Sequence, residues 1–271
     1  MKRIGILYHP KIESAKAFAG ELEKLLASLG ASAWLWSAWD EAGARSQMKG
    51  TDLVLSVGGD GTVLRAGRAA AKMSIPVVGI NLGTLGFLTE LGPNEARKRL
   101  PDLLKGEGWI DERAMLQAEQ AGKEPLHALN DVVVGRGIKP RVIYVDITID
   151  GTPLTRYKSD GVIIATATGS TGYSLALGGP ILYPRAREMV LNPIAPHPTF
   201  DNSLVLPPTS VIDIKVSADE PAVLSIDGQV HLELSDGDEV KISLSPRVAK
   251  FLRLQPPTFF YSTLVKRLVP K

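Results

Sequence analysis

The first hundred residues alternate between short apolar runs and stretches with helical spacing. Four runs have the length of strands and the near-continuous hydrophobicity of a sheet covered on both faces: Ile4–Tyr8, Ala33–Trp36, Leu53–Val57 and Ile75–Ile80. Apolar residues recur at helical spacing in Ser14–Leu29, about Thr62–Lys72 and about Asn94–Leu104. Strands that alternate with helices predict parallel βαβ units. We therefore expect an α/β domain over residues 1–106, a parallel sheet with flanking helices.

The pattern changes near Gly106, and short alternating strands dominate from there to about Arg253. Asp150-Gly151 and Asp227-Gly228 are typical of two-residue hairpin turns, because both positions of such a turn need a positive φ. A short helical segment, about Ser170–Leu177, interrupts the strands. We expect a β-sandwich-like domain over residues 107–253. The tail, residues 254–271, is predicted to form a short helix that packs back on the first domain.

Composition narrows the function classes. The formal charge is +2, from 31 basic and 29 acidic residues, so nothing indicates a nucleic-acid-binding surface. The chain has no cysteine, which excludes disulfides, zinc-thiolate sites and thiol catalysis. No stretch approaches 18 consecutive apolar residues, so we expect no membrane span. These features favour a cytoplasmic protein.

The strongest chemical signal is Gly58-Gly59-Asp60-Gly61-Thr62, directly after an apolar strand. Glycines at such a turn let phosphates approach backbone N–H groups, and the helix that follows adds its positive end. A carboxylate in that position would repel phosphate, unless Asp60 binds through a metal or takes a proton from an attacking hydroxyl. The plainer alternative is a glycine-rich turn in which Asp60 caps the helix.

Three further segments combine polar residues with a strand or helix end. Thr166–Ser174 offers hydroxyls at a loop-to-helix junction, which suit either capping or ligand binding. Asn130-Asp131 stands before an apolar strand and suits a vicinal diol or an adenine edge, or is an ordinary turn. Lys158–Gly161 also precedes a strand, and a solvated loop is its alternative. Arg65 and Arg68 could face phosphates or solvent, and His9 could lie near the phosphates.

Taken together, these motifs resemble the NAD kinases. Gly58–Thr62 matches the family's GGDGT motif, Thr168–Ser174 its threonine-rich motif, and Asn130-Asp131 its Asn-acid pair. Asn81–Leu88, Pro193–His197 and Ser225–Gln229 also resemble family segments, in the family's order. The resemblance covers nearly the whole chain.

The resemblance implies transfer of phosphate from ATP, or from polyphosphate, to the 2′-hydroxyl of the adenosine ribose of NAD, giving NADP. A divalent cation, Mg²⁺, is expected to neutralise the triphosphate, with no metal-ligand residues of the protein assigned. NAD and ATP are then the partners, with no nucleic acid and no membrane. The family also implies a homodimer or homotetramer.

The resemblance assigns roles to individual residues. Asp60 is the expected catalytic base, and Gly58, Gly59, Gly61 and Thr62 form the phosphate loop. Lys158, Asp160 and Ala195 are expected to reach the dinucleotide of a neighbouring subunit. The full set of expected NAD contacts is Asp60, Gly61, Arg65, Asn130, Asp131, Arg141, Lys158, Asp160, Thr168, Thr171, Gly172, Tyr173, Ser174, Leu175, Ala176, Ala195 and Gln229.

Four positions depart from the common family pattern: Asp131 for Glu, Lys158 for Arg, Ala167 for Pro and Gly172 for Ala. Lys in place of Arg keeps the charge but loses the bidentate fork. The alternative enzyme is a lipid kinase of the diacylglycerol or sphingosine type, which shares GGDGT. The residues after Gly83-Thr84 differ from the later motif of those kinases. A non-catalytic dinucleotide sensor is a third class, disfavoured by the retention of Asp60.

Overall fold

The computed structural model describes residues 1–83, 86–137, 141–197 and 200–268. The chain divides into two compact units, residues 1–112 with 249–271, and residues 113–248. The divisions fall within two long strands, β5 (Trp109–Glu119) and β16 (Glu239–Arg253). The domain boundaries expected from the sequence, after residues 106 and 253, stay a prediction.

The first unit has a parallel sheet in the strand order β2-β1-β3-β4. The end of β16 adds to it through Phe251, which pairs with Val77. The strands are β1 (Arg3–Tyr8), β2 (Ser32–Ser37), β3 (Leu53–Val57) and β4 (Val77–Ile80). The helices are α1 (Glu13–Ser28), α2 (Glu41–Gln47), α3 (Asp60–Ala71) and α4 (Pro93–Lys105), with α6 (Phe259–Leu268) in the tail.

Burial on both faces explains the continuous apolar runs in this unit. Every residue of β3 is buried. On α1, the buried positions Phe18, Leu22 and Leu26 repeat at helical spacing and pack on the sheet residues Ile4 and Leu55. The α/β prediction is confirmed. Helix α3 begins two residues earlier than the spacing indicated, at Asp60.

The second unit consists mainly of antiparallel sheets. A six-stranded sheet has the order β12-β11-β10-β7-β14-β15, and β8, β9, β13 and the first part of β16 form another antiparallel ladder. The strands are β6 (Leu126–Ala128), β7 (Asp131–Arg136), β8 (Ile143–Ile149), β9 (Thr152–Ser159), β10 (Gly161–Ala165), β11 (Met189–Ile194), β12 (Leu204–Leu206), β13 (Ile212–Ser217), β14 (Ala222–Ile226) and β15 (Val230–Leu234).

Residues from both ladders share one core, as expected of a sandwich-like domain. Val145 and Ile214 belong to one ladder, Val134 and Ile164 to the six-stranded sheet, and all four are fully or almost fully buried in the same cluster. The predicted β-rich fold is confirmed. The predicted helical segment is a 3₁₀ turn, Gly169–Thr171, followed by α5 (Tyr173–Ala176).

Both predicted Asp-Gly hairpin turns are present. Asp150 and Asp227 have φ of 51° and 53°, and the glycines that follow them have φ of 78° and 63°. The turns join β8 to β9 and β14 to β15. Among the described residues, no helix is both long enough and apolar enough to cross a membrane.

Candidate active site

The glycine-rich motif lies where the strand order of the parallel sheet reverses. The chain passes from β1 outward to β2 on one side, and from β3 to β4 on the other. In open α/β sheets, ligands bind outside the carboxyl ends of the strands at such a switch point. Gly58 follows β3 with a φ of 155°, and a side chain there would overlap Thr62. The Gly58 N–H donates to Ile80 O, 2.9 Å away.

Asp60 is held by the backbone of a neighbouring loop. Its Oδ2 accepts the N–H of Phe87 at 2.8 Å, and its Oδ1 accepts those of Leu88 and Thr89, both at 3.2 Å. The helix N-cap is Gly59, with no capping side chain. The alternative in which Asp60 caps its own helix is therefore wrong. Among the described residues, the carboxylate accepts three hydrogen bonds of the about four that it can accept.

A cationic and aromatic cluster stands beside this motif. The Arg65 guanidinium lies 4.5 Å from the centroid of the Trp39 ring, and the His9 ring is 4.2 Å from that of Trp39, centroid to centroid. The His9 N–H donates to Val57 O at the end of β3. Burial lowers the pKa of His9, and the charges of Lys11 and Arg65 act in the same direction. The lowered pKa of His9 favours its uncharged form at this edge, which it shares with the cationic Arg65.

Arg68 does not have the role considered for it. It is buried, and its Nε and Nη2 donate to Glu41 Oε2 at 3.1 and 2.8 Å. The side chain therefore joins α3 to α2. Of the two arginines considered for phosphate contacts, only Arg65 keeps that role as a prediction.

In the second unit, Asn130 and Asp131 are braced by a third residue, Asp227. Its carboxylate accepts the N–H groups of Leu129, Asn130 and Asp131 at 3.1, 2.7 and 3.2 Å. Burial raises the pKa of Asp131 to about 7, and the nearby Asp227 carboxylate adds to the shift. Asn130 Oδ1 is buried, with no hydrogen-bond partner among the described residues. The pair therefore combines a buried acceptor oxygen that has no partner among the described residues with a carboxyl group whose pKa is about 7.

The threonine-rich segment packs against Asn130. Thr166 Oγ1 donates to Leu129 O at 2.7 Å, and the Thr166 N–H donates to Asn130 O at 2.8 Å. A side chain at Gly169 would overlap the Asn130 backbone. The structure therefore brings the Asn-acid pair and the threonine-rich segment together.

Within that segment, the expected contact residues differ in exposure. The Ser174 hydroxyl is buried and accepts a hydrogen bond from Asn192 Nδ2 at 2.7 Å, and Thr168 accepts one from Arg113 at 3.3 Å. Tyr173 is 46% exposed. Gly172 and Ala176 are exposed, while Thr171 and Leu175 are partly buried.

The residues expected to reach a neighbouring subunit lie together. The Asp160 N–H donates to Ile194 O at 2.9 Å, and the His197 N–H donates to Lys158 O at 2.8 Å. Lys158 and Ala195 are exposed. Asp160 forms an ion pair with Arg136 at 2.8 Å. Arg141 is exposed and Gln229 is partly buried.

Two residues that hold the motifs in place, Asp227 and Gly86, cannot be assigned that role from the sequence. The sequence identifies Asp227 only as a turn residue and as part of the family segment Ser225–Gln229, and Gly86 only as part of a family segment. The segment Asn81–Leu88 includes residues 84 and 85, which lie outside the described residues. A polar residue in a turn shows nothing in the sequence that identifies the distant N–H groups from which its side chain accepts hydrogen bonds.

Models of known families match most of the chain. The ATP-NAD kinase N-terminal domain matches residues 4–108, and the ATP-NAD kinase C-terminal domain matches residues 129–254. An NAD kinase from Dehalococcoides mccartyi is 44% identical, over 98% of this chain and 96% of its own. An NAD kinase from Chloroflexus aurantiacus is 40% identical, over 99% of both chains.

Solved structures agree with these matches. Yeast NADH kinase, crystallised with NADH, is similar with a TM-score of 0.86 and 26% identity, over 99% of this chain and 87% of that one. An NAD kinase from Archaeoglobus fulgidus, crystallised with ATP, is similar with a TM-score of 0.79 and 26% identity, over 97% of this chain and 98% of that one. The lipid-kinase alternative is not favoured. The chain belongs to the NAD kinase family of phosphotransferases.

Proposed function

We propose that, in the transfer of a phosphoryl group from ATP to the 2′-hydroxyl of NAD, Asp60 accepts the proton of that hydroxyl. The observation that supports this role is the fixed carboxylate at the switch point, which among the described residues accepts three of the about four hydrogen bonds that it can accept. A ribose hydroxyl is a poor nucleophile at neutral pH. A carboxylate within hydrogen-bond reach can take its proton as the bond to phosphorus forms.

The phosphate loop and Arg65 are proposed to hold the donor end of the reaction. The loop glycines keep side chains away from the start of α3, where backbone N–H groups and the helix dipole attract phosphate. The guanidinium of Arg65, stacked on Trp39 at 4.5 Å, adds a positive charge beside His9. Phosphoryl transfer depends mainly on positioning and charge neutralisation, which these groups supply.

Mg²⁺ is proposed to arrive with ATP as part of the substrate. Among the described residues, no group of three His, Asp or Glu side chains could hold a metal ion by itself. The triphosphate supplies oxygen ligands of the kind that Mg²⁺ prefers. Both substrates are available in the cytoplasm, which is the proposed location.

The adenosine part of NAD is proposed to bind Asn130 and Asp131. Oδ1 of Asn130 has no hydrogen-bond partner among the described residues, and it can accept a hydrogen bond from the adenine amino group or from a ribose hydroxyl. Asp131 can donate or accept, because its pKa of about 7 leaves both forms populated at neutral pH. Tyr173 and Thr171 are proposed to complete the pocket. Lys158, Asp160 and Ala195 are proposed to complete it in a neighbouring copy of the chain, which makes the active form a dimer or tetramer.

A donor and acceptor panel tests this function on the purified protein. NADP should form from NAD with ATP and Mg²⁺, and inorganic polyphosphate is compared as donor. The matched control is NAD that lacks the 2′-hydroxyl of the adenosine ribose, which should give no phosphorylated product. Phosphorylation of that analogue at the rate of NAD would contradict the proposed acceptor atom.

A further inference from the structure

A buried charged cluster in the first unit is not used by the reaction described above. It consists of Arg253, Glu90 and Asp111, which are 6%, 4% and 2% exposed. Arg253 Nη1 lies 3.1 Å from Glu90 Oε2, and its Nε lies 3.3 Å from Asp111 Oδ2. Burying charged groups is costly, and apolar residues of similar size often give equal or greater stability. Stability alone is therefore a weak reason for this cluster.

The cluster is bonded to the loop that holds Asp60. Arg253 Nη1 also donates to the carbonyl oxygen of Leu88, at 2.8 Å. The N–H of the same residue donates to Asp60 Oδ1 at 3.2 Å. Leu88 thus connects the Arg253 guanidinium to the Asp60 carboxylate through its own backbone.

Glu90 fixes the cluster at both ends. Its N–H donates to Gly79 O of β4 at 2.8 Å. Its Oε1 accepts the N–H groups of Leu254 and Gln255 at 2.8 and 2.7 Å, immediately after Arg253. Glu90 therefore connects the Arg253 guanidinium to strand β4 of the parallel sheet and to the backbone that directly follows Arg253.

We infer that Arg253, held by Glu90 and Asp111, is a positioning residue that orients the Asp60 carboxylate through Leu88. This inference rests on the proposed role of Asp60. The guanidinium suits the task because its planar fork donates to a carbonyl and two carboxylates at once. A lysine ammonium at position 253 keeps the charge but cannot reproduce that planar arrangement. Displacing a reacting group by about 1 Å can lower the rate about 10²-fold.

The test is a double-mutant cycle of Arg253→Gln with Asp60→Asn. Arg253→Gln alone should lower kcat about 10²-fold, while the KM for NAD and for ATP stays within about threefold of wild type. In the Asp60→Asn background, the same change should lower kcat by less than about threefold, because the carboxylate it orients is already gone. Residues that act as a unit show this non-additivity.

Unfolding is separated from positioning by two measurements. Thermal unfolding reports whether each variant is folded, and calorimetric titration with NAD gives the fraction of competent sites, to which kcat is normalised. If Arg253→Gln does not fold, Arg253→Lys and Glu90→Gln replace it in the same cycle. The matched control is Arg97→Gln, which removes an exposed ion pair with Glu21 in the same unit and should leave kcat unchanged.

The outcomes are distinct. A folded Arg253 variant with wild-type kcat overturns the inference. An equal loss in both backgrounds also overturns it and leaves the role of Asp60 intact, because the cluster then acts independently of that carboxylate. Wild-type turnover in Asp60→Asn removes the proposed base, and this inference with it.

Discussion

The α-carbon of Gly86 lies against the Asp60 carboxylate, so closely that a side chain at position 86 would overlap both carboxylate oxygens. The Gly86 N–H donates to Thr89 Oγ1 at 2.6 Å, and Thr89 donates its own N–H to Asp60. The loop therefore closes around the carboxylate from several directions. The absence of a side chain at Gly86 is part of the geometry of the proposed base.

Gly86→Ala should displace the carboxylate or the loop. We expect kcat to fall about 10²-fold, because a shift of about 1 Å at a reacting group has that effect. Overpacking should also lower the free energy of unfolding by about 1–3 kcal/mol. Steady-state kinetics and thermal unfolding check both.

Gly83→Ala is the matched control for this substitution. Among the described residues, the nearest atom that a side chain at position 83 would meet is Asn81 Oδ1, at 3.8 Å, which is ordinary contact distance. Its kcat should stay close to wild type. Wild-type kcat in Gly86→Ala would show that the contact with Asp60 has no catalytic consequence.

Much of this architecture could be predicted from the sequence, because the pattern depends on local physics. Continuous apolar runs such as Leu53–Val57 predict the buried parallel strands. Asp227-Gly228 predicts a hairpin turn, because both central positions of such a turn need a positive φ. The hydrogen bonds that hold the Asp60 carboxylate could not be predicted in this way. They join a side chain to backbone N–H groups 27 to 29 positions away, and no local preference encodes such a pairing.

The buried Asp131 should make stability depend on pH. Its pKa of about 7 in the folded chain lies above the ordinary value of 3.8. The folded state therefore holds more protons than the unfolded state between about pH 4 and 7, and stability falls as the pH rises through that window. Asp131→Asn removes this loss. Relative to wild type, the variant should gain roughly 3–4 kcal/mol between pH 4 and 8, at about 1.4 kcal/mol per pKa unit.

Urea unfolding of the protein without ligand at several pH values measures this difference. Asp219→Asn changes an exposed carboxylate in the same unit and serves as the control, with a constant difference from wild type. A constant difference for Asp131→Asn as well would contradict the titration proposed for this carboxyl.

Asp131→Ala should separately raise the KM for NAD about 10- to 100-fold, since hydrogen bonds to charged groups contribute about 1.5–3 kcal/mol.

Lys158 tests the proposed assembly. If its ammonium completes the dinucleotide site of a neighbouring subunit, Lys158→Ala should weaken NAD binding about tenfold and leave ATP binding nearly unchanged. Calorimetric titration with each substrate measures both. Lys241→Ala, which removes another exposed lysine of the same unit, should change neither. Light scattering should show at least a dimer under assay conditions, and a fully active monomer would contradict the shared site.

The turnover of Asp60→Asn, with NAD binding measured in parallel, decides whether Asp60 is the catalytic base. The amide nitrogen of Asn must face a backbone N–H, so we expect a folded variant destabilised by about 1–3 kcal/mol. Its affinity for NAD should stay within about threefold of wild type, while turnover should fall about 10²–10⁴-fold, the usual contribution of general-base catalysis. A folded variant that no longer binds NAD would make Asp60 a binding ligand first. Turnover within about threefold of wild type would contradict the assignment of Asp60 as the catalytic base.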